Sequence, residues 1–290
     1  MRRIGIDIGG TQLRVATFEE DGALVTKASM PNDHTKGPAE NLERLACAIE
    51  GFGIDYEGVG IGCPGPLDFS LGRILNPPNL PGWEGFDIVR WFEDRLGCRA
   101  VLNNDANVAG LAEARLGAGR GLGSVVYLTV STGVGAAYVL DGHIVGGAHS
   151  CAAEVFNMVV VDRPSVRLGM NGGALEDQAS GTAIGRMASE RLGMPVDAAQ
   201  VFALRREGNE VACAVVDDAA TMLARGVCNI SCVVDPDIFV FGGSVALYNP
   251  DFVDLVHKKA RDLVLNPDTL TFALAECGGD AGLMGAALLV

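Results

Sequence analysis

A pattern that occurs twice constrains the fold of this chain more than any other feature. Residues 4–22 contain an apolar run, a Gly-Gly-Thr loop, a second apolar run and an Asp-Gly turn. Residues 124–142 repeat that order with a Ser-Thr-Gly loop. Short apolar runs that end at glycine turns are typical of β-strands, and a repeated order of elements indicates duplication. With helical segments between the later strands, the pattern predicts an α/β protein with two related lobes.

The spacing of apolar residues separates the remaining segments into strands and helices. Short continuous runs predict strands, whereas recurrence every three or four residues predicts helices. Predicted strands include 59–63, 99–102 and 238–241, and predicted helices include 86–96, 106–116 and 210–234. We expect a smaller N-terminal lobe at 1–117 and a larger C-terminal lobe at 118–279, with the closing helix at 280–290 joining the first lobe.

Composition and charge argue against several classes of protein. Of the 290 residues, 49% are hydrophobic and 20% are charged, as in a compact globular protein. The net charge of −14 argues against a nucleic-acid partner, which requires a concentrated basic surface. The chain has neither a secretory signal pattern nor a segment of transmembrane length. We therefore expect a cytoplasmic protein with no membrane partner.

The eight cysteines do not follow the spacing of a disulfide framework, and no Cys-x-x-Cys pair occurs. Cys228 and Cys232 are four residues apart in the predicted helix at 210–234, where they could share a metal ion. The favoured interpretation is that both are small apolar side chains buried on one helix face.

Three glycine loops, each after an apolar run, are the first candidates for chemistry: 9–11, 131–135 and 242–244. Backbone N–H groups in such loops can surround a phosphate without interference from side chains. None of the three is a P-loop or a dinucleotide-binding Gly-x-Gly-x-x-Gly motif. Each loop alone is more often an ordinary turn. Three of them, in this order around a duplicated fold, predict phosphate binding.

These loops resemble the motifs of a known superfamily. Residues 7–11 resemble the first phosphate motif of the sugar kinase/actin/Hsp70 superfamily, 131–135 its second phosphate motif, and 241–244 its adenosine motif. More narrowly, the chain resembles the ROK family of bacterial sugar kinases over nearly its whole length. The other segments that carry this resemblance are 62–66, 102–107, 175–176, 180–181 and 280–285. The resemblance implies a two-lobed actin-like (ribonuclease H-like) ATPase fold, with duplicated mixed sheets and flanking helices.

The activity that the resemblance implies is ATP-dependent phosphorylation of the 6-hydroxyl of a hexose, with Asp105 as the catalytic base. Phosphoryl transfer to an alcohol requires an aligned hydroxyl and an acceptor for its proton. A carboxylate can serve both purposes. Because Asp105 lies between a predicted strand and a predicted helix, it could instead be an ordinary helix N-cap. The neighbouring motifs favour the base.

ATP and Mg²⁺ are the implied cosubstrate and cofactor. The residues that match the family's nucleotide motifs are Asp7, Gly9, Gly10, Thr11, Gln12, Ser131, Thr132, Gly133, Gly242, Gly243 and Ser244. Asp7 is the implied Mg²⁺ group, acting through water because Mg²⁺ retains much of its hydration shell. Many relatives carry lysine at the position of Gln12, and whether Arg14 replaces that charge is open.

The implied sugar site contains Gly65, Asn104, Glu154, Asn157 and Glu176. Most relatives place a histidine at the position of Asn157, and this histidine and three cysteines bind a structural Zn²⁺. Here the cysteine positions hold Arg167, Gly169 and Ala174, so we predict that no zinc site forms. Some bacterial N-acetylmannosamine kinases of the family also lack the motif. This favours N-acetylmannosamine as the substrate, with glucose or another hexose as the alternative.

Functions of two other classes remain open. The family includes sugar-responsive repressors, but the first phosphate strand begins at Ile4, which leaves no room for a preceding helix-turn-helix, and the charge is wrong for DNA. The altered segment 154–157 suggests a sugar-binding protein that has lost catalysis, whereas Asp105 and the phosphate loops argue for an enzyme. The resemblance also implies a homodimer that acts on a small sugar.

Overall fold

The structure is a computed structural model that describes residues 2–19, 21–165 and 169–290. Its elements are, in chain order, β1 (Arg2–Ile8), β2 (Gln12–Phe18), β3 (Leu24–Pro31), α1 (Pro38–Gly51), β4 (Tyr56–Cys63), β5 (Leu67–Asp68), β6 (Arg73–Ile74), α2 (Ile88–Leu96), β7 (Arg99–Asn104), α3 (Asp105–Arg115), β8 (Ser124–Val130), β9 (Val134–Leu140), β10 (His143–Ile144), α4 (Leu175–Ala179), α5 (Gly181–Leu192), α6 (Ala198–Arg206), α7 (Glu210–Val234), β11 (Ile238–Gly242), α8 (Ser244–Tyr248), α9 (Pro250–Arg261), β12 (Phe272–Leu274) and α10 (Ala281–Ala287). Short 3-10 turns lie at Val155–Asn157 and Gly278–Asp280.

The chain forms two compact units. The first unit contains Met1–Gly121, Gly142–Ala152 and Glu276–Val290. The second unit contains Leu122–Asp141 and Ala153–Ala275. The C-terminal helix α10 therefore belongs to the first unit, although it is far from the rest of that unit in sequence.

The first unit is built on a sheet with strand order β3-β2-β1-β4-β7. β1 pairs antiparallel with β2 and parallel with β4, and β4 pairs parallel with β7. Ile4, Ile6 and Ile8 are fully buried on one face of β1, and Gly5 is buried on the opposite face. The loops that follow β1, β4 and β7 therefore emerge at the same edge of the sheet.

Helix α10 packs directly on the strand backbones of this sheet. Side chains on Gly5 and Gly60 would overlap the carbonyl oxygens of Leu283 and Ala286 in the helix. A side chain on Gly285 would overlap the carbonyl oxygen of Val108 in α3. These glycines allow backbone-to-backbone contact, because any Cβ would push the elements apart. The contacts fix α3, and with it the first helical residue Asp105, against the sheet.

Replacing Gly285 by alanine is expected to destabilise the first unit. The new methyl group has no space beside Val108, so α10 has to move off α3. Overpacking of this kind costs about 3 kcal/mol, which lowers the thermal midpoint by roughly 6–12 °C in a unit of this size. Differential scanning calorimetry measures the shift. The matched control is Gly51→Ala, because open space surrounds the Cβ position at Gly51, and that variant should unfold within about 2 °C of the wild type.

The second unit repeats the arrangement of the first. β8 pairs antiparallel with β9 and parallel with β11, and β11 pairs parallel with β12. The 25-residue helix α7 presents its apolar face, from Ala212 to Ile230, to the core of this unit. The duplication predicted from the repeated strand–loop–strand order is present in both sheets.

One interpretation of the cysteines was wrong. Cys228 is half-buried and Cys232 is exposed, so the pair does not form a buried apolar face. The sulfur of Cys228 lies 3.3 Å from the carbonyl oxygen of Leu263. The apolar stripe of α7 runs through neighbouring positions, such as Val227 and Ile230, and leaves the two thiols at its margin. Within the described residues, no helix combines the length and apolar character needed to cross a membrane.

Candidate active site

A cavity of about 520 Å³ lies in the first unit at the edge where β1 and β7 end. Five residues that the sequence assigned to the nucleotide and the reaction line this cavity: Asp7, Gly9, Gly10, Thr11 and Asp105. The other lining residues are Ile8, His34, Pro64, Asn79 and Pro81. The parallel pairing of β1, β4 and β7 brings the three loop regions together.

Asp105 is the first residue of α3, immediately after β7. The helix N-cap is its neighbour Asn104, whose side-chain oxygen accepts a hydrogen bond from the N–H of Ala106 at 2.9 Å. The capping role that the sequence left open for Asp105 thus falls to Asn104. One carboxylate oxygen of Asp105 also accepts from the N–H of Ala106, at 2.8 Å.

Asp105 lines the cavity and keeps solvent-accessible surface there. The protein around its carboxylate still desolvates the charged form, which raises the pKa of Asp105, and the negative charge of Asp7 raises that pKa further. A carboxylate with a raised pKa is a stronger proton acceptor. Asn104 adjoins Gly65, because a methyl group on Gly65 would lie 3.4 Å from the amide nitrogen of Asn104. Neither Asn104 nor Gly65 is among the residues that line this cavity.

Asp7 lies opposite Arg14 in the β1–β2 ladder and forms an ion pair with it. Nε and Nη2 of Arg14 contact Oδ2 of Asp7 at 2.7 and 2.5 Å, and Nη1 donates to the carbonyl oxygen of Gly279 at 2.9 Å. Arg14 is therefore engaged with Asp7 and with the segment that precedes α10. Asp7 still lines the cavity beside the turn at residues 9–11, and carboxylate oxygens are the ligands that Mg²⁺ prefers.

The turn at residues 9–11 has no space for side chains at its glycines. The N–H of Gly9 donates to the carbonyl oxygen of Gln12 at 2.8 Å. A methyl group on Gly9 would lie 2.8 Å from that oxygen, and one on Gly10 would lie 2.8 Å from the carbonyl oxygen of Asn79. The turn therefore presents backbone to the cavity, as a phosphate site requires. Gln12 begins β2 and is exposed.

A second cavity, of about 460 Å³, lies in the second unit and is lined by Ser131, Thr132 and Ser244. The hydroxyl oxygens of Ser131 and Ser244 are 3.1 Å apart. Gly243 has a φ of +83°, in the left-handed region that glycine adopts without strain. Gly181, from the segment 180–181 that carries the resemblance, also lines this cavity. The lining residues that sequence motifs did not identify are Thr182, Gly185, Arg186, Ser189, Val196, Asp197, Ala198, Ala199 and Val245.

Glu176 lies directly behind the loop at residues 131–135. Its Oε2 accepts a hydrogen bond from the N–H of Val134 at 2.9 Å, and a methyl group on Gly133 would lie 2.5 Å from the same oxygen. Gly242, at the end of β11, has a packing constraint of its own, because a side chain there would overlap the Tyr127 hydroxyl.

Asn157 ends the 3-10 turn at Val155–Asn157, Glu154 directly precedes that turn, and neither residue lines either cavity. Oδ1 of Asn157 accepts from the N–H of Asn171 at 2.7 Å, and the side chain of Asn171 donates back to the carbonyl oxygen of Asn157 at 3.0 Å. Arg167 lies outside the described residues, whereas Gly169 is exposed and Ala174 is fully buried. In the described part of the chain, no three His, Cys, Asp or Glu side chains are grouped to hold a metal ion.

Comparison with known proteins shows the family to which the chain is similar. The sequence profile of the ROK family matches residues 3–290. The chain is 32% identical to the N-acetylmannosamine kinase of Citrobacter koseri over 100% of its own length and 98% of the relative's. A ROK hexokinase from Thermus thermophilus has a TM-score of 0.92 at 35% identity, covering 99% of this chain and 97% of that one. A ROK glucokinase from Streptomyces griseus, solved with glucose and AMPPNP, has a TM-score of 0.80 at 28% identity, covering 100% and 99%.

Proposed function

The chain belongs to the ROK family, and we propose that it is a sugar kinase that transfers the γ-phosphate of ATP to the 6-hydroxyl of a hexose. The fold is the α/β fold of the actin-like ATPases, with its duplicated mixed sheets, as predicted. The observation that carries the proposal is the cavity of the first unit, where the Asp105 carboxylate and the glycine turn at 9–11 line the same space. A proton acceptor beside a phosphate-binding turn is the minimum that phosphoryl transfer to an alcohol requires.

In the proposed mechanism, Asp105 accepts a hydrogen bond from the sugar hydroxyl and then takes its proton. The hydroxyl oxygen forms a bond to the γ-phosphorus, and the bond from that phosphorus to the bridging oxygen breaks, which releases ADP. Backbone N–H groups of the 9–11 turn bind phosphate oxygens. Asn104 donates its amide to the sugar. Bound Mg²⁺, for which Asp7 is the proposed ligand through water, would neutralise phosphate charge.

In the second unit, Ser131 and Thr132 are proposed to bind phosphate. Gly133 lets the loop backbone lie close to Glu176, because a side chain at this position would overlap the Glu176 carboxylate. Gly242, Gly243 and Ser244 are proposed to hold the adenosine side of the nucleotide. Two features support this placement: the cavity is lined by hydroxyls from both loops, and β8 and β11 are adjacent parallel strands that end at it. Glu154, Asn157 and Glu176 remain proposed sugar contacts.

For the sugar itself we propose N-acetylmannosamine, with glucose as the second candidate. Asn157 replaces the histidine of most relatives, which supports a sugar other than the usual one. A relative named N-acetylmannosamine kinase and a structural neighbour named glucokinase match the chain over nearly its full length. The substrate class, a hexose, is common to both names.

A coupled ADP-release assay over a panel of hexoses and N-acetylhexosamines tests the activity. We expect Mg-ATP turnover with at least one sugar, and a clear preference for N-acetylmannosamine over glucose. The 6-deoxy analogue of the best sugar should release no ADP above the sugar-free background, because it lacks the proposed acceptor. Turnover of the 6-deoxy analogue would contradict the 6-hydroxyl assignment, and no turnover with any sugar would contradict the kinase.

Zinc is expected to be dispensable. Elemental analysis of the purified protein should find far less than one zinc per chain. Treatment with 1,10-phenanthroline, which removes zinc but leaves Mg²⁺, should not lower kcat or the thermal midpoint. Stoichiometric zinc, or loss of activity that zinc restores, would contradict the zinc-free prediction.

A further inference from the structure

Asn32 is a buried side chain that contacts the phosphate turn and that no sequence motif identified. It directly follows β3, and only 5% of its surface is exposed. Its backbone N–H donates to the carbonyl oxygen of Thr11 at 2.9 Å, and its side-chain nitrogen donates to the carbonyl oxygen of Gly9 at 3.0 Å. One residue therefore binds two carbonyl groups of the three-residue turn.

Within the described part of the chain, the side-chain nitrogen of Asn32 makes a hydrogen bond, whereas its side-chain oxygen does not. Its side-chain oxygen is shielded from solvent and has no hydrogen-bond partner among the described residues. The side chain thus acts on its surroundings through its donor group. An aspartate would fit the same space but would place an acceptor against the carbonyl oxygen of Gly9, so the amide is chemically required for this contact.

The two contacts determine the direction of the turn's N–H groups. In a trans peptide, the carbonyl and the N–H of the next residue point in opposite directions. Both peptides concerned, Gly9–Gly10 and Thr11–Gln12, are trans. Because the carbonyls of Gly9 and Thr11 are held towards Asn32, the N–H groups of Gly10 and Gln12 point away from it. Gly10 lines the cavity, so its N–H is directed to the side where a phosphate can bind.

We propose that Asn32 is a positioning residue that holds the 9–11 turn in its phosphate-binding orientation. The proposal rests on the proposed function of this cavity as the ATP phosphate site. Without the side-chain donor, the Gly9–Gly10 peptide is free to rotate, and the turn has to be ordered again when the nucleotide binds. That ordering lowers nucleotide affinity and the rate of transfer, whereas the proposed sugar contacts, none of which belongs to the 9–11 turn, are retained.

Asn41 offers a matched control. It is fully buried in α1, and it too anchors a loop through its amide. Its nitrogen donates to the carbonyl oxygen of Asp33 at 3.0 Å, and its oxygen accepts from the N–H of Asp33 at 3.1 Å. Among the described residues, the side chain of Asn41 hydrogen-bonds to residues between 33 and 44 and not to the 9–11 turn. Replacing it by aspartate makes the same chemical change at a similar depth.

The test compares Asn32→Asp, Asn32→Ala and Asn41→Asp with the wild type, by calorimetric binding of Mg-AMPPNP and by kinetics with the best sugar. We expect the two Asn32 variants to bind Mg-AMPPNP about tenfold more weakly and to show a similar rise in KM for ATP. Sugar affinity should stay within about threefold. Asn41→Asp should lose thermal stability but keep the nucleotide affinity of the wild type.

Each outcome decides between the alternatives. Unchanged Mg-AMPPNP affinity in a folded Asn32 variant overturns the positioning role, and so does an equal loss of affinity in Asn41→Asp. If Asn32→Asp does not fold, Asn32→Ala, which introduces no charge, gives the answer. Failure of the wild type itself to bind Mg-AMPPNP contradicts the proposed function rather than the role of Asn32, so the two failures are distinguishable.

Discussion

Asp105→Asn is expected to lower kcat for sugar phosphorylation by about 10²- to 10⁴-fold, the range that a positioned general base contributes. Asparagine has the size of aspartate, and its side-chain oxygen can still accept the hydrogen bond from the N–H of Ala106. It cannot take the proton of the sugar hydroxyl. The sugar should therefore bind with an affinity within about threefold of the wild type. Stopped-flow or coupled ADP-release kinetics measure kcat, and isothermal calorimetry measures the affinity for the sugar.

The control for this substitution is Glu40→Gln. Glu40 is an exposed carboxylate in the first turn of α1, so its replacement removes a comparable interaction between a negative charge and a helix N-terminus. It should leave kcat unchanged. If Asp105→Asn retained more than a tenth of the wild-type kcat, the side chain would have only the local helix role that the sequence also allowed, and a different group would have to accept the proton.

Local patterns predicted much of this fold. The helix predicted at 210–234 has those bounds in the structure, because an apolar stripe of seven turns ends at Asp235-Pro236, where the chain cannot continue as a helix. β1 begins two residues before Ile4, where the sequence placed the start of the first strand, because Arg2 and Arg3 are polar and only half-buried. The glycine turns were recognisable because all the residues of each turn are consecutive in the sequence.

Contacts between distant segments were not predictable in the same way. His34 and Asn79 line the cavity beside Asp105, yet neither belongs to a run or motif that marks it. Asn32 contacts the 9–11 turn only because β3 pairs with β2 in a register that sets Pro31 opposite Gln12. That register depends on the burial of a whole sheet face, so no short window of sequence contains it.

Glu113 is the strongest case of this kind, because it is a carboxylate with no exposed surface. Its Oε2 accepts from the N–H groups of Ala118 and Glu276 at 3.1 and 3.0 Å, and its Oε1 accepts from the N–H of Cys277 at 2.8 Å. The chain first leaves the first unit after Gly121, returns to it at Gly142–Ala152, and re-enters it for the last time at Glu276. Glu113 therefore holds two segments against α3, the helix that begins with Asp105: the one that contains Ala118 and the one that begins at Glu276.

The surroundings of Glu113 have no spare volume. A side chain on Gly117 would overlap its Oε2. Burial, together with the neighbouring Glu113 carboxylate, raises the pKa of the Cys277 thiol to about 12. That thiol consequently stays protonated at neutral pH. The three backbone N–H groups compensate for the hydration that the Glu113 carboxylate loses on burial. Each charge-assisted hydrogen bond replaces one that water would provide.

Glu113→Gln is therefore expected to lower the stability of the first unit by about 3 kcal/mol. The amide has one acceptor oxygen in place of two, so its NH₂ group must face at least one backbone N–H that then has no acceptor. For a unit of this size the thermal midpoint should fall by roughly 6–12 °C, which scanning calorimetry measures directly. The matched control is Glu57→Gln, because Glu57 is exposed on β4, and it should unfold within about 2 °C of the wild type. A midpoint for Glu113→Gln as close to the wild type as that of the control would mean that other contacts hold the 118 and 276–277 segments in place.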